Sequence, residues 1–317
     1  MIRNIVLALT VLITFSCKGK DKEVVEKIKV SSEEVGAMVS FLASDDIKGR
    51  DTGSEGIAEA ATYIEKQLET FGVKPYYDTY RDNFKVKELD AYNVVGYLEG
   101  TDPKLKNEVV VIGAHYDHIG LRARPVENDS IGNGANDNAT GTATVLAMAK
   151  YFGAAINNKR SIVFALFSAE EMGLLGSKHL AERMKNDNVN LYTMVNFEMM
   201  GVPFPDRDYQ VFATGYDLSN MAEVLNKYAG HKLVGKSDEA AKFNLFKRSD
   251  NYPFYEQFKM AAQTISSCDL TNFDFYHHVD DEADIMDYNH MASTINNLFS
   301  AMEGMINAST QEIKMNE

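Results

Sequence analysis

The chain is 317 residues long, enough for one large domain with a sizeable buried core. Hydrophobic residues make up 45% and charged residues 25%, which excludes a disordered chain, and 6 Pro with 21 Gly scattered along the length exclude Pro-rich and collagen-like classes. Asp and Glu outnumber Lys and Arg by 46 to 32, a formal net charge of -14 with no basic stripe against it, so nucleic acid is not an expected partner and neutral or cationic substrates fit better.

Met1 to Cys17 (MIRNIVLALTVLITFSC) opens with Arg3, runs through eleven mostly apolar residues from Ile5 to Phe15, and ends on Ser16 and Cys17. This is the pattern of a secretory signal, and the run is too short to cross a hydrocarbon layer of about 30 Å as a helix. A Cys directly after such a run resembles a bacterial lipoprotein box. It implies cleavage before Cys17, a lipid on its thiol, and an exported protein that is periplasmic or anchored at the outer membrane. Thr14 and Phe15 depart from the box, and a plain signal peptide with secretion is the alternative. With Cys17 acylated, Cys268 has no intrachain partner, so no disulfide is expected. Residues 18–30, rich in Lys and Glu, read as a solvated tether, 31–308 as a single domain, and 309–317 as a polar tail that frays.

Helical spacing runs through Val35, Met38, Val39 and Leu42, and again through Ile57, Ala60, Ala61, Ile64 and Leu68, with a Gly- and Ser-bearing loop over Lys48 to Ser54 between them. Short, largely apolar runs then predict strands over Tyr92 to Leu98, Glu108 to Ala114, Ser161 to Phe167, Tyr192 to Phe197, Tyr209 to Ala213 and Met260 to Ser266. Helix-like stretches fall between or after them: Thr140 to Phe152, Leu174 to Met184, Leu218 to Tyr228 and Tyr288 to Ile306. Alternating strands and helices predict a three-layer α/β/α sandwich around a mostly parallel, mixed central sheet.

Ligands of open α/β sheets gather beyond the carboxyl ends of the strands. His115 and Asp117 follow one predicted strand, Glu170 and Glu171 the next, and Glu198 a third. Asp137 precedes a helix, and Tyr276, His277 and His278 follow the last strand, so all can share one rim. Imidazoles and carboxylates without thiolate are the donors of a catalytic zinc centre, and five ligands are too many for one tetrahedral ion but suffice for two if a carboxylate bridges them. Either a lone His-x-Asp or a lone Glu-Glu pair is more often simply solvated. The other histidines, His179, His231 and His290, read as surface or packing residues, and an extended turn would aim His118 away from the rim. Spacing alone does not separate His277 from His278.

The segments NVVGYLEG (93–100), VVVIGAHYDHIG (109–120), GANDNATG (134–141), SAEEMGLLGS (168–177), NFEMMG (196–201) and YHHVDDEAD (276–284) together resemble the family-28 metallopeptidases, in the expected order from about Ser31 to about Ile306. These are two-zinc aminopeptidases and their carboxypeptidase-like relatives. The resemblance implies two Zn2+ per chain: His115 and Glu198 on one ion, Glu171 and His277 on the other, and Asp137 bridging. It further implies Glu170 as general base, Asp117 as the residue that orients His115, and Tyr276 as a donor to the oxyanion. His277 is preferred to His278 because Tyr276, His277 and Asp281 match the family's Tyr-His-x-x-x-Asp segment.

The substrates so implied are peptides with a free N-terminus. Residues 248–254 (RSDNYPF) resemble a segment beside the family's substrate pocket, with Asn251 where His is frequent. Glu198 stands where many aminopeptidases carry Asp, as it also does in dipeptidase- and carboxypeptidase-type relatives. Met199, Met200, Phe246, Phe254 and Tyr255 are candidates for an apolar pocket, though such residues are more often core. The rival readings are a single-zinc glutaminyl cyclase, which shares the fold, and a non-catalytic binding domain.

Overall fold

The computed structural model describes residues 28–121 and 125–317; the leader, Cys17 and residues 18–27 of the tether lie outside them. Nine strands form one sheet: β1 Lys74–Pro75, β2 Arg81–Val86, β3 Leu89–Leu98, β4 Val109–His115, β5 Ser161–Phe167, β6 Leu191–Glu198, β7 Val211–Ala213, β8 Val234–Gly235 and β9 Ala262–Ser266. Their order is β1-β3-β5-β4-β6-β9-β7-β8, with β2 also paired to β3. The central β5, β4, β6 and β9 are mutually parallel, whereas β3 and β7 flank them antiparallel. The sheet is thus mixed with a parallel centre.

Side chains alternate across this centre. Val110, Ile112, Ala114, Ile162, Phe164 and Leu166 pack on one face; Val109, Val111, Val163, Ala165 and Phe167 pack on the other. The first face is covered by α1 Ser32–Leu42, α2 Glu55–Thr70, α3 Thr140–Ala155, α5 Met221–Ala229 and α8 Tyr288–Asn307, the second by α4 Leu175–Asn186 and α7 Asn251–Phe258. A one-turn α6, Asp238–Lys242, completes the helices. The expected three layers are therefore present. Among the described residues no helix is long and apolar enough to cross a membrane.

Local chemistry explains the helix starts. Ser31 Oγ accepts from the Glu34 N–H while Glu34 returns a bond to the Ser31 N–H, a capping box that opens α1, and Ser54 Oγ accepts from Ile57 N to open α2. Both helices bury the periodic residues predicted for them.

The two ends depart from expectation. Val30, assigned to the tether, is buried, and its N–H and C=O exchange two hydrogen bonds with the side-chain amide of Asn296, so the folded part begins before Ser31. The polar tail does not fray. Ile313 is buried, its N–H donates to Tyr192 Oη at 2.9 Å, and Lys314 N donates to Asn220 Oδ1 at 2.7 Å. Two apolar residues of the polar tail, Ile313 and Met315, pack against the core, and Met315 bridges to Ser219.

Candidate metal centre

Because β4, β5, β6 and β9 are parallel, their carboxyl ends share one edge. His115 ends β4, Glu170 and Glu171 follow β5, Glu198 ends β6, and His277 lies in the loop after β9. Asp137 comes from the tight turn Ala135–Ala139 before α3. That turn is fixed from three sides: Asp281 accepts from the N–H groups of Asn136 (2.7 Å) and Asp137 (3.0 Å), and Asn138 Nδ2 donates to Phe197 O on β6. Asn138 Oδ1 accepts from Met199 N at 3.0 Å. Gly134, at φ +59, admits the turn: a Cβ there would stand 2.4 Å from the His118 ring.

Asp137 divides the site in two. Its Oδ1 lies 3.3 Å from His115 Nε2, which is 3.7 Å from Glu198 Oε1. Its Oδ2 lies 3.3 Å from His277 Nε2, which is 3.0 Å from Glu171 Oε2. His115 Nε2 and His277 Nε2 are nevertheless buried without a hydrogen bond of proper geometry. Buried imidazole nitrogens left unpaired among converging carboxylate oxygens are what a cation would satisfy. The donor set is nitrogen and oxygen without sulfur and fits a cation such as zinc: His115, Asp137 and Glu198 converge in one half, and Asp137 and Glu171 meet His118 and His277 in the other.

His118 is where sequence reasoning went astray. It is fully buried in the second half, with Nδ1 2.9 Å from Glu171 Oε1 and 3.9 Å from Asp137 Oδ2. Alternation holds only inside a strand. β4 ends at His115, the backbone then turns, and the His118 N–H bonds Arg50 O, which brings the ring inward. The repeated His-x-x-His spacing (115, 118) was the signal available for it. His278 is outside, its Nδ1 accepting from Asp280 N, while His277 reaches the site from a backbone at φ +58. His179 stacks on Phe84 and contacts Asp82, a packing role.

Asp117 does more than orient a ring. His115 Nδ1 lies 3.1 Å from the Asp117 carbonyl and 3.7 Å from its carboxylate. The carboxylate itself accepts from Glu170 N at 3.1 Å and Glu171 N at 3.3 Å, so it ties the Glu-Glu turn to the His115 loop. Glu198 is fixed by Ser249, whose Oγ donates to Oε2 and accepts from Asn196 Nδ2 at 2.8 Å. Tyr276 stacks on His277 at 4.0 Å between ring centroids, and its Oη accepts from Arg248 Nη2 at 3.2 Å. Of the five pocket candidates, Met199 alone lines the small chamber beside Glu198, together with Phe212, Leu245 and Leu270. Met200 and Phe254 are core, and Phe246 and Tyr255 pack against each other.

Crowded acids and imidazoles set the electrostatics. Desolvation first, then Glu198, Asp250 and Glu171, push the Glu170 carboxyl well above the usual range against the pull of His115. Burial raises Asp250 and Asp281 to about 7 each, with His115 and His118 respectively opposing. For His277 burial works downward, but Asp137 and Glu171 prevail and hold it at about 10. The signs agree. A raised carboxyl keeps in the folded state a proton that the unfolded chain loses above about pH 4, so its stability is lost as pH rises toward 7. A raised histidine is stabilising below about 6.5 and loses that contribution toward 10. Metal-free protein is therefore expected to melt lower at pH 8 than at pH 5.5. Zinc requires deprotonated ligands, so the rise in Tm on adding it is expected to be larger at pH 8, by on the order of 5 °C or more. Scanning calorimetry with and without zinc measures both, and a zinc shift independent of pH would contradict the assignment.

Comparison with known proteins agrees with this geometry. The model of Peptidase family M28 matches residues 93–302, the span that carries every candidate ligand named above. A "Probable zinc metalloprotease" of Pyrenophora teres f. teres (strain 0-1) is 38% identical over 113 residues, 36% of this chain and 23% of that protein, so the chain spans about a quarter of that relative's length. Among solved structures, the Legionella pneumophila LapA aminopeptidase superposes with a TM-score of 0.67 at 18% identity, over 89% of this chain and 73% of that one. The Fimbriiglobus ruber glutaminyl cyclase also scores 0.67 at 18% identity, over 88% and 97%. At such identities the likeness is one of fold, common to peptidase and cyclase. The family match covers well over half of the chain and includes its site: this protein belongs to peptidase family M28.

Proposed function

We propose that the protein is a two-zinc exopeptidase that releases N-terminal residues from peptides with a free amino terminus. The observation that carries the reading is Asp137, one carboxylate with an unpaired buried imidazole and a further carboxylate on each side of it. Zinc bound there would supply a water far more acidic than bulk water, so that hydroxide is available near neutral pH. Glu170, held through its N–H by Asp117, takes the proton of that water and returns it to the leaving amine. Tyr276 Oη, at the mouth, donates to the oxygen on which charge develops. Glu198 is the anionic receiver for the substrate amine, and the apolar chamber beside it takes the first side chain.

Metal analysis together with product analysis tests this. Two zinc equivalents per chain and free N-terminal amino acids are expected from peptides such as Leu-Ala-Gly. One equivalent with pyroglutamate from an N-terminal Gln peptide would favour a cyclase, and release from the other end would reverse the direction of attack.

A further inference from the structure

Resting on the exopeptidase reading, we infer that the cleft on the Glu170 side recognises a carboxylate on the residue released as leaving group, through Arg248 with Lys247 and Lys178. Two spaces meet at the metal centre, and Arg248 and Tyr276 line both, standing at the waist between them. The small chamber lies by Glu198. The larger cleft, about 550 Å3, runs from Glu170 past Gly173 and Lys178 on one wall and past Lys247, Arg248 and Tyr252 on the other. Since Glu170 delivers the proton to the leaving amine, the leaving residue occupies this larger space.

Its charge is unlike that of the rest of the molecule. On a chain of net charge -14, three cations converge on one cleft. Arg81, Arg160, Arg183 and Arg207 each pair with a carboxylate, and Arg50 is saturated by carbonyls. Arg248 alone among the described arginines is exposed with a single hydrogen bond, to Tyr276, and no carboxylate within reach. Most of its five donors are therefore free for a planar acid. Glu170 and Glu171 at the inner end repel an anion and direct it outward to the cations, and Glu256 is the remaining acid of the cleft.

Arg248 bonds the hydroxyl of Tyr276, whose ring stacks on His277, so the cluster begins beside the site and the group it takes is assigned to the first residue after the scissile bond. It is either the terminal carboxylate of a dipeptide or the side chain of an Asp or Glu at the second position. The substrate class is thereby short or acidic at that residue, and a long peptide with a neutral second residue gains nothing from the cluster.

The test uses zinc-loaded full chain and three substrates: Leu-Ala, Leu-Ala-NH2 and Leu-Glu-NH2. A kcat/KM for Leu-Ala at least about tenfold above that for Leu-Ala-NH2 identifies the terminal carboxylate. A comparable preference for Leu-Glu-NH2 over Leu-Ala-NH2 identifies the side chain. In Arg248→Gln either ratio is expected to fall to within about twofold of unity, and in Lys247→Gln to fall partway. Using ratios removes any effect of Arg248 on Tyr276 that all substrates share. Equal rates on all three substrates, or a preference that survives both substitutions, would overturn the inference while leaving the exopeptidase standing. Cleavage of none of them would remove the exopeptidase reading and this assignment with it.

Discussion

Glu170→Gln is expected to keep its fold and its zinc while losing roughly two to four orders of magnitude in kcat. The replacement is nearly isosteric, and the Glu170 backbone stays anchored because Asp117 accepts from its N–H rather than from its side chain. What is lost is the ability to take a proton. Glu170 suits that role because its surroundings oppose its negative charge: desolvation and the neighbouring Glu198, Asp250 and Glu171 raise its proton affinity, so a proton accepted from water is held until the amine departs. Metal analysis and a thermal melt of the variant separate a chemical loss from a structural one. Parent-like turnover in a zinc-loaded Glu170→Gln would remove the residue from the reaction.

Part of this site was legible in the sequence because His115, Glu170, Glu171 and Glu198 stand at or just past strand ends, and buried parallel strands announce themselves as apolar runs, whereas Asp137 before α3 and His277 in the loop after β9 stand apart from any strand. Val109 to His115, Ser161 to Phe167 and Leu191 to Glu198 are largely apolar, so the polar residues that end the first and third runs, and the Glu pair just past the second, stand out. His118 was hidden because it lies past the strand, where alternation no longer predicts direction. The outer strands were hidden for the opposite reason. Arg81–Val86 is a half-exposed hairpin partner of β3 with little apolar pattern, and Lys74–Pro75 and Val234–Gly235 are too short to carry a period. Residues 248–254 resembled a pocket segment, and Arg248, Ser249, Tyr252 and Pro253 do line the two spaces, whereas Asn251, at the start of α7, bonds Thr264, Phe246 and Ala262 inside the fold. Contacts between distant segments decide such residues, and no local pattern records them.

Arg50 is the strongest case, and its substitution is the second large effect. In sequence it sits in a Gly-rich loop between two helices, where an arginine is normally solvated. In the fold its guanidinium is completely buried. Nε donates to Tyr116 O at 2.8 Å, Nη1 to Asn133 O at 2.6 Å and to Leu42 O, and Nη2 to Gly134 O at 2.9 Å. Tyr116 lies between His115 and Asp117, and Gly134 opens the turn of Asp137, so one side chain joins the two loops that carry the shared ligand and its neighbour. Desolvation lowers Arg50 to about 10, while Asp281, Asp117, Asp137 and Glu171 favour its charge, and it remains a cation at neutral pH. Arg50→Met preserves much of the volume but takes a donor from four carbonyls, of which Gly134 O keeps the Ala139 N–H, and removes a fixed cation from an acidic cluster. A loss of about 3–5 kcal/mol is expected, with weakened zinc binding. Arg50→Lys separates the two contributions, since an ammonium keeps the charge but cannot span carbonyls arranged around a planar fork. If bridging dominates, the lysine variant recovers less than half of the lost stability in calorimetry and still binds zinc more weakly in titration. Full recovery by lysine would assign Arg50 to charge balance alone, and a methionine variant as stable as the parent would mean that the two loops hold their positions without it.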